Sequence, residues 1–254
     1  MAVISTQKVT NLPAGLEVQA GNISGLTGTG RPGSNTAVGT SFEQLNELGG
    51  TRNELYTDPS TESTGQQIKV VSASSDDTNS GSGHARRVKV IGTGPLGVEL
   101  EENINLNGTA QVTSAGFFTS VSAISVNRIG SGGTVNAGNI TVFANDGSTA
   151  LLQMDAGDGN ASFAGIYGMS GKKIYVSQLF ATAIESAEVA VFKRNAGKGF
   201  VKKQTLFLNN NAFNYVSQVP LVIENGDCVE VRAKRLGSTD AKVNADLQVF
   251  IETI

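Results

Sequence analysis

Between residues 67 and 126 the chain keeps changing character over short distances. Ile68 to Val71, Val88 to Ile91, Val98 to Leu106 and Val121 to Val126 are apolar runs separated by clusters of Ser, Thr, Asn, Asp and Gly. Runs this short, bounded by turn formers, read as strands and leave no room for a helix. In Val98-Glu99-Leu100-Glu101-Glu102-Asn103-Ile104-Asn105-Leu106 the apolar residues fall at every second position but one, so one face is wet and the other dry. An antiparallel sheet with one solvated face explains this, since a parallel sheet is apolar on both. Asn107-Gly108 follows at once and supplies the dipeptide that accepts positive φ at a tight hairpin.

The same alternation continues to the end of the chain, with about ten to twelve strand candidates after residue 67 at the spacing of a sandwich. Residues 172–183 and 187–193 read as a central hairpin, and 200–208, 219–223, 228–234 and 243–251 as later strands. After the Asn225-Gly226-Asp227 turn, strict alternation points Val229, Val231 and Ala233 inward and Cys228, Glu230, Arg232 and Lys234 outward. The predicted fold is all-β, an antiparallel β-sandwich of jelly-roll type over residues 65–254 with an extended N-terminal arm.

Residues 1–64 form that arm. Gly21 to Asn35 has too few large side chains to bury and too much backbone entropy to lose if it stood alone. Ser41 three residues before Gln44 makes a capping box, and Phe42, Leu45 and Leu48 at helical spacing with Gly49 behind them predict a short helix near 42–48. A segment of this composition is either a linker or an arm lying across a neighbouring subunit, held by anchors such as Leu12, Leu16, Ile23 and Leu26.

The single cysteine, Cys228, excludes an intramolecular disulfide framework, and His84 is the only histidine, so no Cys/His metal site is expected. A net charge of −3 spread along the chain argues against bulk binding to nucleic acid, where phosphate neutralisation dominates. The N-terminus shows no secretory pattern and no run approaches a membrane span, so synthesis in a cytoplasm is expected.

Few motifs carry chemistry. Gly92-Thr93-Gly94-Pro95-Leu96-Gly97 matches G-x-G-x-x-G, but a strand follows where the dinucleotide fingerprint needs a helix, and no acid lies at the right distance. Asp76-Asp77 and Asp155-Ala156-Gly157-Asp158-Gly159-Asn160 put oxygen ligands in loops where a hard cation could sit, although Asp-Gly turns arise for backbone reasons as well. Lys193, Arg194, Lys198, Lys202 and Lys203 crowd one hairpin end and read as a solvated, edge-protecting charge run. His84 sits in a Gly/Ser-rich turn with nothing to frame it as a base, so neither an enzymatic role nor a cofactor is expected.

A resemblance adds to this. Ser75-Asp76-Asp77-Thr78 with Gly81-Ser82-Gly83-His84-Ala85-Arg86-Arg87-Val88, the Leu106-Asn107-Gly108-Thr109 turn, and Ile129 to Gly138 resemble a family of virion structural proteins from tailed bacteriophages and large viruses of aquatic hosts. Phe42 to Tyr56 resembles the lead-in before that domain, so the likeness spans residues 40–145. It implies a capsid decoration or cement protein on the virion surface, partnered by the major capsid protein and by neighbouring copies of itself, a trimer above all. It also favours the arm over the linker, with Leu12, Leu16, Ile23, Leu26, Phe42, Leu45 and Leu48 as the implied contact residues. A head or tail fibre module binding a host glycan, a glycan-active enzyme and a major capsid protein are the alternatives. Nucleic acid and membrane are not expected partners.

Overall fold

Strands β1 (Leu26–Val38), β2 (Glu43–Gln44) and β3 (Lys69–Ser72) open the chain's regular structure. They are followed by β4 (Ala85–Thr93), β5 (Glu99–Asn105), β6 (Val112–Thr113), β7 (Ser120–Ile129), β8 (Ile140–Phe143), β9 (Ala150–Met154) and β10 (Asn160–Ser162). β11 (Gly165–Tyr167), β12 (Lys172–Arg194), β13 (Phe200–Ile223), β14 (Cys228–Arg235) and β15 (Ala241–Thr253) complete them. This computed structural model describes residues 26–48, 53–80, 83–133 and 135–254. The fold is all-β, every ladder is antiparallel, and the one helical turn among the described residues is the 3₁₀ segment Pro95–Gly97.

The described residues build two large cores and a small cluster of Phe163, Tyr167 and Cys228. Sheets β10-β7-β4-β5 and β6-β3-β8-β9 form a sandwich around Ile68, Val88, Val90, Phe118, Ile124, Ile140 and Leu152. The alternation in β4 is the expected one, with Val88 and Val90 buried and Lys89 turned out. The second core lies in a curled sheet in which β12 and β13 run as one long hairpin. The first half of β12 pairs β15 and its second half pairs β14, so the sheet turns a corner between them. At that corner Glu185 and Asn210 take positive φ (71° and 51°), and the register slips between Ala183 and Ser186. The expected hairpin between 172–183 and 187–193 is therefore one strand with a bulge, which bends a ladder without ending it. Residues 200–208 and 219–223 are likewise parts of one strand, β13.

The described part of the expected 1–64 arm differs in the same way. β1 is not a free arm: it pairs β15 from Leu26↔Glu252 to Val38↔Ala241 and closes one edge of the curled sheet. Its glycines answer a packing need, because a Cβ on Gly33 would lie 2.2 Å from the Ala164 nitrogen and 2.3 Å from the Leu45 carbonyl oxygen. The expected helix near 42–48 is absent. Glu43 and Gln44 pair Ala233 and Arg232 of β14, the Leu45 carbonyl accepts from the Ala164 N–H at 3.1 Å, and Glu47 sits at φ 62°. Two turns of helix are marginal alone, and β14 and Ala164, just before β11, supply better backbone bonds. Both cores thus draw on residues across the 64/65 boundary, Leu45 and Val38 in one and Leu55 against the other.

Candidate interaction surface

The long hairpin presents the most unusual surface. Among the described residues β13 pairs only with β12, so its other side is a free edge. Leu206 and Leu208 point into the core opposite Val189 and Ala187, while Phe207, opposite Glu188, is 70% exposed. Phe213, Val216 and Val219 are exposed as well, Val219 at 78%. The segment Asn209-Asn210-Asn211-Ala212-Phe213-Asn214-Tyr215-Val216-Ser217-Gln218-Val219 contains no charge at all. An unpaired, uncharged, β-prone edge is a template for another chain's backbone.

Three of the five cations in the basic run beside it are paired within the molecule, while Lys198 and Lys203 are exposed as expected of a solvated charge run. Lys193 pairs Asp227 at 3.1 Å, Arg194 pairs Glu54, and Lys202 and Lys234 both reach Glu188, at 3.1 and 2.8 Å. Burial would push the Glu188 carboxyl up, but the two ammonium groups hold it below its ordinary value. Phe42 packs edge-on to Phe192 at 5.2 Å, under the same two lysines. Arg232 lies 4.4 Å from the Phe200 ring centroid and 4.8 Å from that of Phe192, and bonds Glu230, which also accepts from Gln44. The expected outward face of β14 is therefore covered: Cys228 and Glu230 are fully buried under Gln44 and Glu54, whose segment alternation within β14 cannot reveal. Glu54, Cys228 and Glu230 bring ligand atoms within 4.8 Å of one another, but both carboxylates already bind guanidinium groups. Two cations and two anions thus pair off, with Glu54 Oε1 and Arg194 Nε and Nη2 left without a hydrogen-bond partner, and the arrangement fastens the leading segment to the sheet.

The remaining sequence candidates resolve as fasteners. Asp77 is fully buried and accepts four bonds, from Ser72 Oγ (2.6 Å) and from the N–H groups of Ala85, Ala137 and Gly138 (3.0, 2.8 and 3.0 Å). The Asp155–Asn160 loop is pinned by Asn136, which donates to the Asp155 carbonyl and accepts from the Gly159 N–H. In the G-x-G-x-x-G segment, the Leu96 carbonyl accepts from Asn225 and the Gly97 carbonyl from Ser170, joining sandwich to curled sheet. Of the expected contact residues, Leu12, Leu16 and Ile23 lie outside the described residues. Leu26 is half-buried at the start of β1, Phe42 and Leu48 are half-buried, and Leu45 is fully enclosed in this chain's own core, which excludes it as an external contact. The middle of β13 falls between the expected strands 200–208 and 219–223, and its one sequence signal is Ala212, Tyr215 and Val216 set between polar residues.

No protein-family model matches this chain, and no curated protein sequence matches it. A solved structure of infectious bursal disease virus, Gt strain, is 11% identical with a TM-score of 0.22, over 91% of this chain and 73% of that one. A mutant VP2 protein of the same virus, in derived T=1 particles, gives 10% identity and a TM-score of 0.21, over 90% and 69%. The regulatory domain of Toxoplasma gondii PKA with cAMP gives 9% and 0.15, over 83% and 78%. Likeness at these scores carries no argument about fold or function.

Proposed function

We propose that this chain is a non-enzymatic structural protein of a virion, a decoration or cement protein that lies on the outer capsid surface and steadies the joints between major capsid subunits. The observation that carries the reading is β13, a 24-residue strand with one edge unpaired among the described residues and with Phe207, Phe213, Val216 and Val219 exposed along it. Backbone bonds to such an edge give affinity, and alternate side chains give specificity. The resemblance in residues 40–145 supplies the virion. The partners are the major capsid protein and neighbouring copies, with a trimer as the favoured assembly. A standard contact of about 1,600 Å², repeated by symmetry, would resist expansion of a shell without chemistry.

The test is to add purified protein to capsids that lack it and image them by cryo-EM, beside a Val216→Lys variant. Density at local three-fold positions, lost in the variant, is the expected result. Density on stalks or at the tail, or unchanged occupancy with Val216→Lys, would sink the proposal.

A further inference from the structure

A cleft separates the outer face of the curled sheet from the rim of the sandwich. Register alone builds one wall. Pro32 on β1 lies opposite Asp246 on β15, which lies opposite Phe180 on β12, and the next row on that face is Ser34, Asn244 and Thr182. Asp158, Asn160 and Ser162 of the sandwich face these rows, with Glu47 closing one end. The cleft is open to solvent and holds about 440 Å³, within the usual span of small-molecule sites.

The groups in this cleft are of a particular kind. Phe180 is 43% exposed, a large ring left open at a place where the core had no use for it. Asp246 accepts from Gln248 through Oδ2 at 2.9 Å, while its Oδ1 is buried without a donor and closed to the cleft. Asn160 and Asn244 stand exposed and offer both donors and acceptors. Among the described residues no Lys or Arg lines the cleft, and Asp158 and Asp246 make it acidic, so an anionic ligand would be repelled. Among the described residues the one trio of potential metal ligands within 4.8 Å of one another is Glu54, Cys228 and Glu230, elsewhere in the fold, so these acids do not converge on a single ion. With an anion disfavoured, the exposed ring and the two amides suit a polar ligand rich in hydroxyl groups that carries one apolar face, and a cation is the competing occupant.

We propose that this cleft binds a neutral pyranose unit of a surface glycan, with Phe180 stacked on its C–H face, Asp158 and the Gln248-bound oxygen of Asp246 accepting from its hydroxyls, and Asn244 and Asn160 completing the polar contacts. Each hydroxyl offers a proton to a carboxylate and a lone pair to an amide, which matches this mixture of acids and amides. The site is separate from the β13 edge, so it can operate whether or not that edge docks on a capsid.

The test uses the full chain and the methyl glycosides of glucose, galactose, mannose and N-acetylglucosamine, one at a time, read by saturation-transfer NMR. At least one should bind, with the weak affinity usual for a single small ligand, about millimolar. Phe180→Ala and Asp246→Asn should each weaken it by roughly tenfold or more. Phe180 is exposed enough that its removal should leave the melting temperature unchanged, and capsid binding should persist in that variant. No binding by any of the four sugars, binding that survives both substitutions, or displacement of the sugar by N-acetyl-lysine amide would overturn the assignment, the last in favour of a cation site. Loss of capsid binding by wild-type protein would count against the cement role and leave this site standing.

Discussion

Replacing Asp77 with alanine should unfold the sandwich at far lower denaturant than any surface change of equal size. The carboxylate lies fully buried and takes four bonds, tying β3 to the turn after it, to the start of β4 and to the lead-in of β8. Ala137 is half-buried and can turn to water, but the Ala85 and Gly138 N–H groups and the Ser72 hydroxyl remain enclosed. Each buried donor left without a partner costs about 1–3 kcal/mol. Three of them sum to roughly 3–9 kcal/mol, and water entering the vacated space brings the expected loss to about 3–5 kcal/mol. That is a large share of a typical domain's stability of about 5–15 kcal/mol. Urea unfolding followed by near-UV circular dichroism and fluorescence measures it, and Asp77→Asn should recover only part, since its amide group faces donors. The same titration with calcium and with chelator added should superimpose. A loss below about 1 kcal/mol, or a midpoint that moves with calcium, would refute the hydrogen-bond account.

Leu45→Ala should cost about 2–5 kcal/mol, since the side chain is fully buried between β1, β11 and β14; unchanged stability with weakened capsid binding would restore it to the docking surface. Glu47 gives a pH signature. Burial, with Asp155 and Asp158 nearby, raises its carboxyl from 4.5 to about 7. The folded state therefore holds its proton more tightly than the unfolded chain, and stability falls as pH rises from about 4.5 to 7. Glu47→Gln should be more stable than wild type at pH 8 by about 1–2 kcal/mol, the shift being discounted because the group is half-buried and solvent-screened. Near pH 4 the difference should vanish. Urea midpoints at the two pH values check this, and an equal or reversed gap would contradict it.

Local pattern was enough for the class of the fold. The alternation in β4 and β5 states which face is wet, because side chains on a strand point to opposite sides with a period of two, and that holds wherever the strand ends up. Asn107-Gly108 and Asn225-Gly226 likewise stand at turns, with both glycines at positive φ (59° and 84°). The limits of the pattern were equally local. Residues 184–186 and 209–218 are polar or mixed and resemble loops, yet they remain in strands because β12 and β13 pair each other across the corner. The Gly-rich stretch of β1 looks unfit to order, and by itself it would be, but β15 satisfies its backbone and Gly33 allows Ala164 to approach.

The candidate sites divide along the same line. Residue types announced acids, amides and aromatics, but which of them meet depends on chain closure over long separations. Cys228 and Glu230 have the parity of a solvent face, and only the return of the Gln44 and Glu54 segment buries them. Phe180 and Asp246 become neighbours through the pairing of β12 with β15, and Asn160 joins them only when the sandwich packs alongside. The sequence by itself determined strands, turns and the facing of each side chain, since these depend on interactions a few residues apart. Tertiary structure alone decided which edges stay open and which polar groups share a cleft, since those depend on the competition among distant partners for the same backbone and the same buried space.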